Sequence, residues 1–144
     1  MRLWHQKLLP YLDRQRLLSQ HRECCALRGK GWDKKHSVVD YVFTHDPALL
    51  VAYHYCVMEE MERRGYHPDK TWDNPGCRGA KLEHDESFAD KYLLEYLWND
   101  ANQMGSIIFP EHNNDHLREC INLLKEKQAP IDWEKVEQDG LLKI

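Results

Sequence analysis

No run of 18 apolar residues occurs in this sequence, which excludes an ordinary transmembrane helix. The opening stretch MRLWHQKLLPYL has neither a long apolar core nor a small-residue cleavage site. No signal peptide is therefore expected, and a cytoplasmic location with no membrane partner is the default expectation. A C-x-x-C pair is also missing. The five cysteines, Cys24, Cys25, Cys56, Cys77 and Cys120, are odd in number, which fits reduced thiols better than a disulfide framework. Adjacent Cys24 and Cys25 are expected to pack against a core. Strand-rich segments, internal repeats and low-complexity tracts do not occur. Nor is the chain basic overall, since its net charge is −4.

That total hides an asymmetry. The first 36 residues carry nine Lys/Arg (Arg2, Lys7, Arg14, Arg16, Arg22, Arg28, Lys30, Lys34, Lys35) and three acids (Asp13, Glu23, Asp33). The other 108 residues carry 11 Lys/Arg against 21 Asp/Glu. A block of +6 ahead of a remainder of −10 points to an anionic partner at one end, with nucleic acid the leading candidate. Binding carried by phosphate contacts would weaken steeply with salt. Glu23, beside Arg22 in the middle of the block, is not something a phosphate-binding surface needs.

Five Trp, seven Tyr and a regular supply of Leu and Val specify a folded globule, and 144 residues are expected to form one domain, 1–144, and a monomer. The chain reads as mostly helical. A first helix is predicted over Arg14 to Arg28, with Asp13 as N-cap and Gly29 as the stop. Leu17, Leu18, His21, Cys24, Cys25 and the stem of Arg28 form its apolar side. A second face holds Ser19, Glu23 and Ala26, flanked by Arg16 and Arg22. The apolar stretch Val38 to Phe43 is ambiguous between helix and strand, with helix favoured. Asp46-Pro47 opens another helix whose stripe is Leu49, Leu50, Tyr53, Val57 and Met61, ending at Gly65. Residues 66–84 read as a long loop, a length often tied to function. Further helices are predicted over Glu86 to Gln103, with Phe88, Tyr92, Leu93, Tyr96 and Leu97 inward, and over His116 to Lys127, capped by Asn114 or Asp115. A short turn follows Asp132.

Two features carry chemistry. Glu23 with Arg22, taken alone, is an ordinary surface pair of little energetic weight. On a basic face, though, an acid can orient a cation or act as a general acid/base beside a polyanion. The second is the α-amine of Met1. Arg2 is bulky, so removal of Met1 is sterically disfavoured and the amine is expected to stay free. An α-amine titrates at about 7.7–8.0, so near neutrality more of it is nucleophilic than of any lysine.

The segment from Asp13 to Gly29, DRQRLLSQHRECCALRG, resembles the first helix of the pyrimidine-dimer DNA glycosylases, the endonuclease V-like family. Gln15, Leu17, Arg22, Glu23 and Gly29 match its pattern in place, and Lys35-His36 follows at a similar distance. Met61-Glu62-Arg63-Arg64-Gly65-Tyr66 is similar to a second helix end of the family, and the start MRLWH resembles its uncharacterised bacterial members. The resemblance covers about the first half of the chain. It implies an all-α, single-domain fold with long loops. It also implies a DNA repair glycosylase and abasic-site lyase acting on double-stranded DNA without a cofactor. By the same resemblance the Met1 amine attacks C1′ to form a Schiff base and Glu23 assists as the catalytic carboxylate. Arg2, Gln15, Arg16, Arg22, Arg28, Lys30, Lys34 and Lys35 are the DNA-binding candidates. Where the family has a further arginine three residues after the glutamate this chain has Ala26, and whether Arg28 substitutes is left open.

Other constellations compete. His112-x-x-Asp115-His116 is close to a zinc-protease spacing, but Pro110 and the Asn pair favour a helix start there. A metal site joining His and Cys from distant segments would make the chain a metal-dependent enzyme on the same scaffold. Loss of the chemistry would leave a non-catalytic nucleic-acid-binding module. Trp32 and Trp72, in loops, are candidates to stack on bases or to cover the core.

Overall fold

The computed structural model describes residues 2–34 and 38–143, and every regular element among them is helical. A 3₁₀ turn, Gln6–Tyr11, precedes α1, Arg14–Arg28. A second 3₁₀ turn, Asp40–Thr44, leads into α2, Pro47–Arg63. After a third, Lys70–Asp73, come α3, Lys91–Met104, α4, Asn114–Glu126, and the short α5, Trp133–Gln138. No helix among the described residues is long and apolar enough to cross a membrane.

Side-chain caps set these boundaries. The Asp13 carboxylate accepts from the Arg16 amide and opens α1, while Asp46 accepts from the Ala48 amide and Pro47 begins α2. Gly105 ends α3 at φ 69°, a left-handed conformation that a side chain would strain. The ambiguous stretch after Val38 is a 3₁₀ turn, not a strand.

α3 differs from the sequence expectation in start and phase. Residues 85–88 form a turn instead, with Asp85 Oδ1 accepting from the Ser87 amide at 2.9 Å and the Phe88 amide bonded to the Asp85 carbonyl. Asp90 then caps the helix, and its own amide donates to Asp46 Oδ1 at 3.0 Å, joining the starts of α2 and α3. Leu94 is buried and Leu93, Leu97 and Ala101 pack on the core, whereas Tyr92 and Tyr96, expected inward, are 88% and 63% exposed. At 100° per residue positions 92 and 96 lie opposite 94, and leucine loses more by facing water than tyrosine, whose hydroxyl stays hydrated.

The core joins Leu3, Leu8 and Leu12 to Leu17 and Leu27 of α1, Leu50, Tyr53 and Val57 of α2, and Phe109, Leu117 and Leu124 further on. The α1–α2 pairing is its centre. Between these helices lies Arg28, fully buried. It donates to the Trp72 and Asn74 carbonyls at 2.9 and 2.7 Å and to His54 Nδ1 at 3.0 Å, and stacks over the Trp72 ring. The expectation that Arg28 meets phosphate is thereby corrected. Its guanidinium fastens the 66–84 loop to α1 and α2, because only a fork of donors can satisfy two loop carbonyls and an imidazole at once. Arg28→Met, which keeps the stem and removes the donors, is expected to cost about 2 kcal/mol, read as a lower urea midpoint with unchanged slope.

Candidate active site

Chain direction brings the N-terminal segment back across α1. Residues 2–5 run extended over the helix, and their main-chain groups are met by side chains. Gln20 Nε2 donates to the Arg2 carbonyl at 2.9 Å and Gln20 Oε1 accepts from the Trp4 amide at 2.7 Å. The Tyr53 hydroxyl donates to the Trp4 carbonyl at 2.6 Å, and His116 Nε2 lies 3.2 Å from the Leu3 carbonyl. A cleft of about 360 Å³ opens beside this crossing. Arg2 and Trp4 form its N-terminal wall, Arg16, Ser19, Gln20 and Glu23 its α1 wall, and Val38 with Leu123 and Lys127 near the end of α4 close it.

Of the candidate residues the cleft gathers three: Arg2, Arg16 and Glu23. Glu23 is half-buried, with Oε1 withdrawn from solvent. Arg2 reaches Glu119 of α4 at 3.2 Å, and Arg16 is held by Asp13 at 3.2 Å. Both cations sit on the rim with part of their charge already paired. Arg22 lies alongside, exposed, donating to Ser19 Oγ at 3.0 Å. Gln15 is exposed in the first turn of α1 and is not in the cleft wall, and Lys30 and Lys34 are exposed past its end. Met1 and Lys35 lie outside the described residues. Ala26 is exposed one turn beyond Glu23, and the buried Arg28 does not replace a cation there. Trp4, Gln20, Val38, Leu123 and Lys127 are not among the candidates read from the sequence; Trp4 and Gln20 lie in segments that resemble the family but match none of its assigned positions.

Elsewhere, His112-x-x-Asp115-His116 is a helix start. The Asn113 side chain caps α4 through the His116 amide, and Asp115 points outward to Arg118. Three potential metal-ligand atoms do meet among the described residues, on His21, Cys25 and His54, all within 4.8 Å of one another. Arg28 donates to His54 Nδ1, so His54 Nε2 carries the proton and donates to His21 Nδ1 at 2.8 Å. An ion would have to replace that proton while a guanidinium holds the opposite ring nitrogen. Burial pushes the Cys25 thiol up to about 12, so it too is protonated near neutrality. The hydrogen bonding suits a joint between α1 and α2 better than a ligand set. Trp32 packs edge-on to Phe43 and Phe88, and Trp72 lies against His54 and Arg28. Trp32 covers the core, and Trp72 covers the Arg28–His54 joint.

No curated protein and no solved structure matches this chain. A family model described as pyrimidine dimer DNA glycosylase matches residues 1–74, which hold α1, α2 and the Arg2, Arg16 and Glu23 walls of the cleft. Leu123 and Lys127 come from outside the match. The matched stretch is just over half of the 144 residues, and the chain belongs to the pyrimidine dimer DNA glycosylase family.

Proposed function

We propose that the protein is a DNA repair glycosylase with abasic-site lyase activity, using the Met1 α-amine as nucleophile and Glu23 as its acid/base partner on double-stranded DNA. The observation that carries this reading is that Arg2, the residue next to Met1, and Glu23 line one cleft. In the reaction the amine attacks C1′ of the deoxyribose and the damaged base departs with its electron pair; the C1′–O4′ bond then opens, the ring oxygen taking the proton that the amine gives up, to leave an imine. The resulting imine makes the C2′ hydrogens acidic. A carboxylate at hand removes one, and the C3′–O bond breaks by β-elimination, leaving a nicked strand. Arg2 and Arg16 suit the flanking phosphates, and the cleft volume suits a single extruded nucleotide.

Borohydride trapping on a duplex with one abasic site tests this. A covalent adduct that disappears when the α-amine is blocked by methylation is the expected result. Intact DNA binding with no adduct would reject the lyase and favour the non-catalytic binding module.

A further inference from the structure

We infer that Gln20 is a positioning residue for this reaction, clamping residues 2–4 across α1, the helix that carries Glu23 one turn further on; this rests on the Schiff-base reading above, in which the chain's α-amine works with Glu23. Gln20 is 2% exposed, an uncharged amide buried on the helix that carries Glu23. Both ends of that amide are used, and on two different peptide groups. Nε2 donates to the Arg2 carbonyl and Oε1 accepts from the Trp4 amide, at 2.9 and 2.7 Å. Oε1 also lies 3.0 Å from the Tyr53 hydroxyl, which itself donates to the Trp4 carbonyl. The amide has only one satisfactory orientation. Turned over, its NH₂ would face the Trp4 N–H and its oxygen the Arg2 carbonyl.

Buried peptide groups need partners, and here they are supplied by side chains instead of a strand neighbour. A strand or helix partner would set the segment relative to another stretch of backbone. Gln20 sets it relative to α1, and therefore relative to Glu23, since positions i and i+3 stand one above the other on a helix. Tyr53 of α2 and His116 of α4 hold the same segment from their sides. Only Gln20 touches it at both flanks and shares a helix and a cleft with the acid. Gln20 carries no charge, so changing it removes no cation from the cleft; of the two rim arginines only Arg2, whose carbonyl it holds, depends on it for position.

The test compares wild type, Gln20→Met and Gln20→Glu by borohydride trapping on abasic-site duplex across the pH range in which an α-amine titrates. Gln20→Met keeps the shape and loses both hydrogen bonds. It is expected to trap about 10- to 100-fold more slowly, the usual cost of a misplacement of about 1 Å, with a smaller loss of DNA affinity because Arg16 stays on the rim. Gln20→Glu keeps the acceptor for the Trp4 amide and loses the donor to the Arg2 carbonyl. Its added negative charge holds the amine protonated to higher pH, so its trapping profile shifts to the alkaline side and its rate recovers there. A merely structural role would lower the melting temperature of both variants and leave the profile where it was. Trapping at the wild-type rate with an unshifted profile in the folded variants, or slowing that only follows lost stability, overturns the clamp while the Schiff-base reading stands. Failure of the wild type itself to trap rejects that reading, and the positioning role with it.

Discussion

Glu23→Gln is expected to slow strand cleavage at an abasic site by about 10²- to 10⁴-fold, the range over which a positioned acid/base contributes. The substitution keeps size and shape and removes two things: the negative charge and the ability to take and return a proton. In the proposed reaction both matter most after the imine has formed, when a C2′ hydrogen must be abstracted. Binding should not suffer, because the rim cations Arg2 and Arg16 remain and a carboxylate that repels phosphate is gone. Equal or somewhat tighter affinity for the same duplex is therefore the companion expectation. Single-turnover cleavage and a binding titration on one abasic oligonucleotide measure the two quantities. A variant that cleaves within about threefold of wild type would remove Glu23 from the chemistry.

The second large effect is loss of stability in mild acid. Three imidazoles, His5, His112 and His116, lie together beneath the N-terminal segment, with the rings of His112 and His116 stacked at 4.5 Å. Burial and neighbouring positive charge hold these rings neutral. His5 Nδ1 accepts from the Lys7 amide at 3.1 Å, so a proton there would face another N–H. The Tyr41 hydroxyl, whose own titration burial pushes upward, is hydrogen-bonded to His112 Nε2 at 2.6 Å. His116 Nε2 points to the Leu3 carbonyl, and its neighbours are Cys120, Arg2 and Glu119. Burial, reinforced by the charge of His116, lowers His5 to about 4. Burial with His116 and His5 lowers His112 to about 2, and burial lowers His116 as well.

The unfolded chain takes up protons near 6.5, before the folded one does. The stability that the neutral rings contribute is complete above that value and is lost as pH falls toward about 4. His5 alone accounts for about 3 kcal/mol of this loss, at 1.36 kcal/mol per unit of separation. Urea midpoints recorded across that window should fall steadily. A flat midpoint would mean that the three rings are already solvated or charged in the folded protein.

The N-terminal segment links the two places, lining the cleft through Arg2 and Trp4 and joining the histidine cluster through His5. Its carbonyls are fastened to Gln20, Tyr53 and His116, one side chain from each of α1, α2 and α4. Loosening any of the three would disturb residues 2–4 as well as the core.

Much of the helical framework was legible in the residues. Asp13, Asp46 and Gly29 mark the ends of α1 and the start of α2 within the sequence itself, and the α2 stripe from Leu49 to Met61 is buried as its spacing predicts. α3 was misread because Glu86 and Phe88 suit a helix start locally. The Asp85 turn and the Asp46–Asp90 contact override that preference, and the second of these involves a residue 44 positions away. Arg28 was misread for a related reason. On the linear helix it is one more cation of a basic block, and only the 66–84 loop carbonyls make it an interior group.

By itself, then, the sequence determined the all-helical character, the caps and breaks, the basic N-terminal block and the Arg22-Glu23 pair, because capping, periodicity and charge are read within a few residues of chain. Tertiary structure alone decided which of the described N-terminal cations share a cleft with Glu23. It kept Arg2 and Arg16 on the cleft, withdrew Arg28 into the core, and added Lys127 from the far end of the chain. Gln20, silent in the sequence, became the link between the first residues and α1. The physical reason is that a buried carbonyl or amide must find a partner wherever packing leaves one, and that partner's place in the sequence is set by how the helices meet.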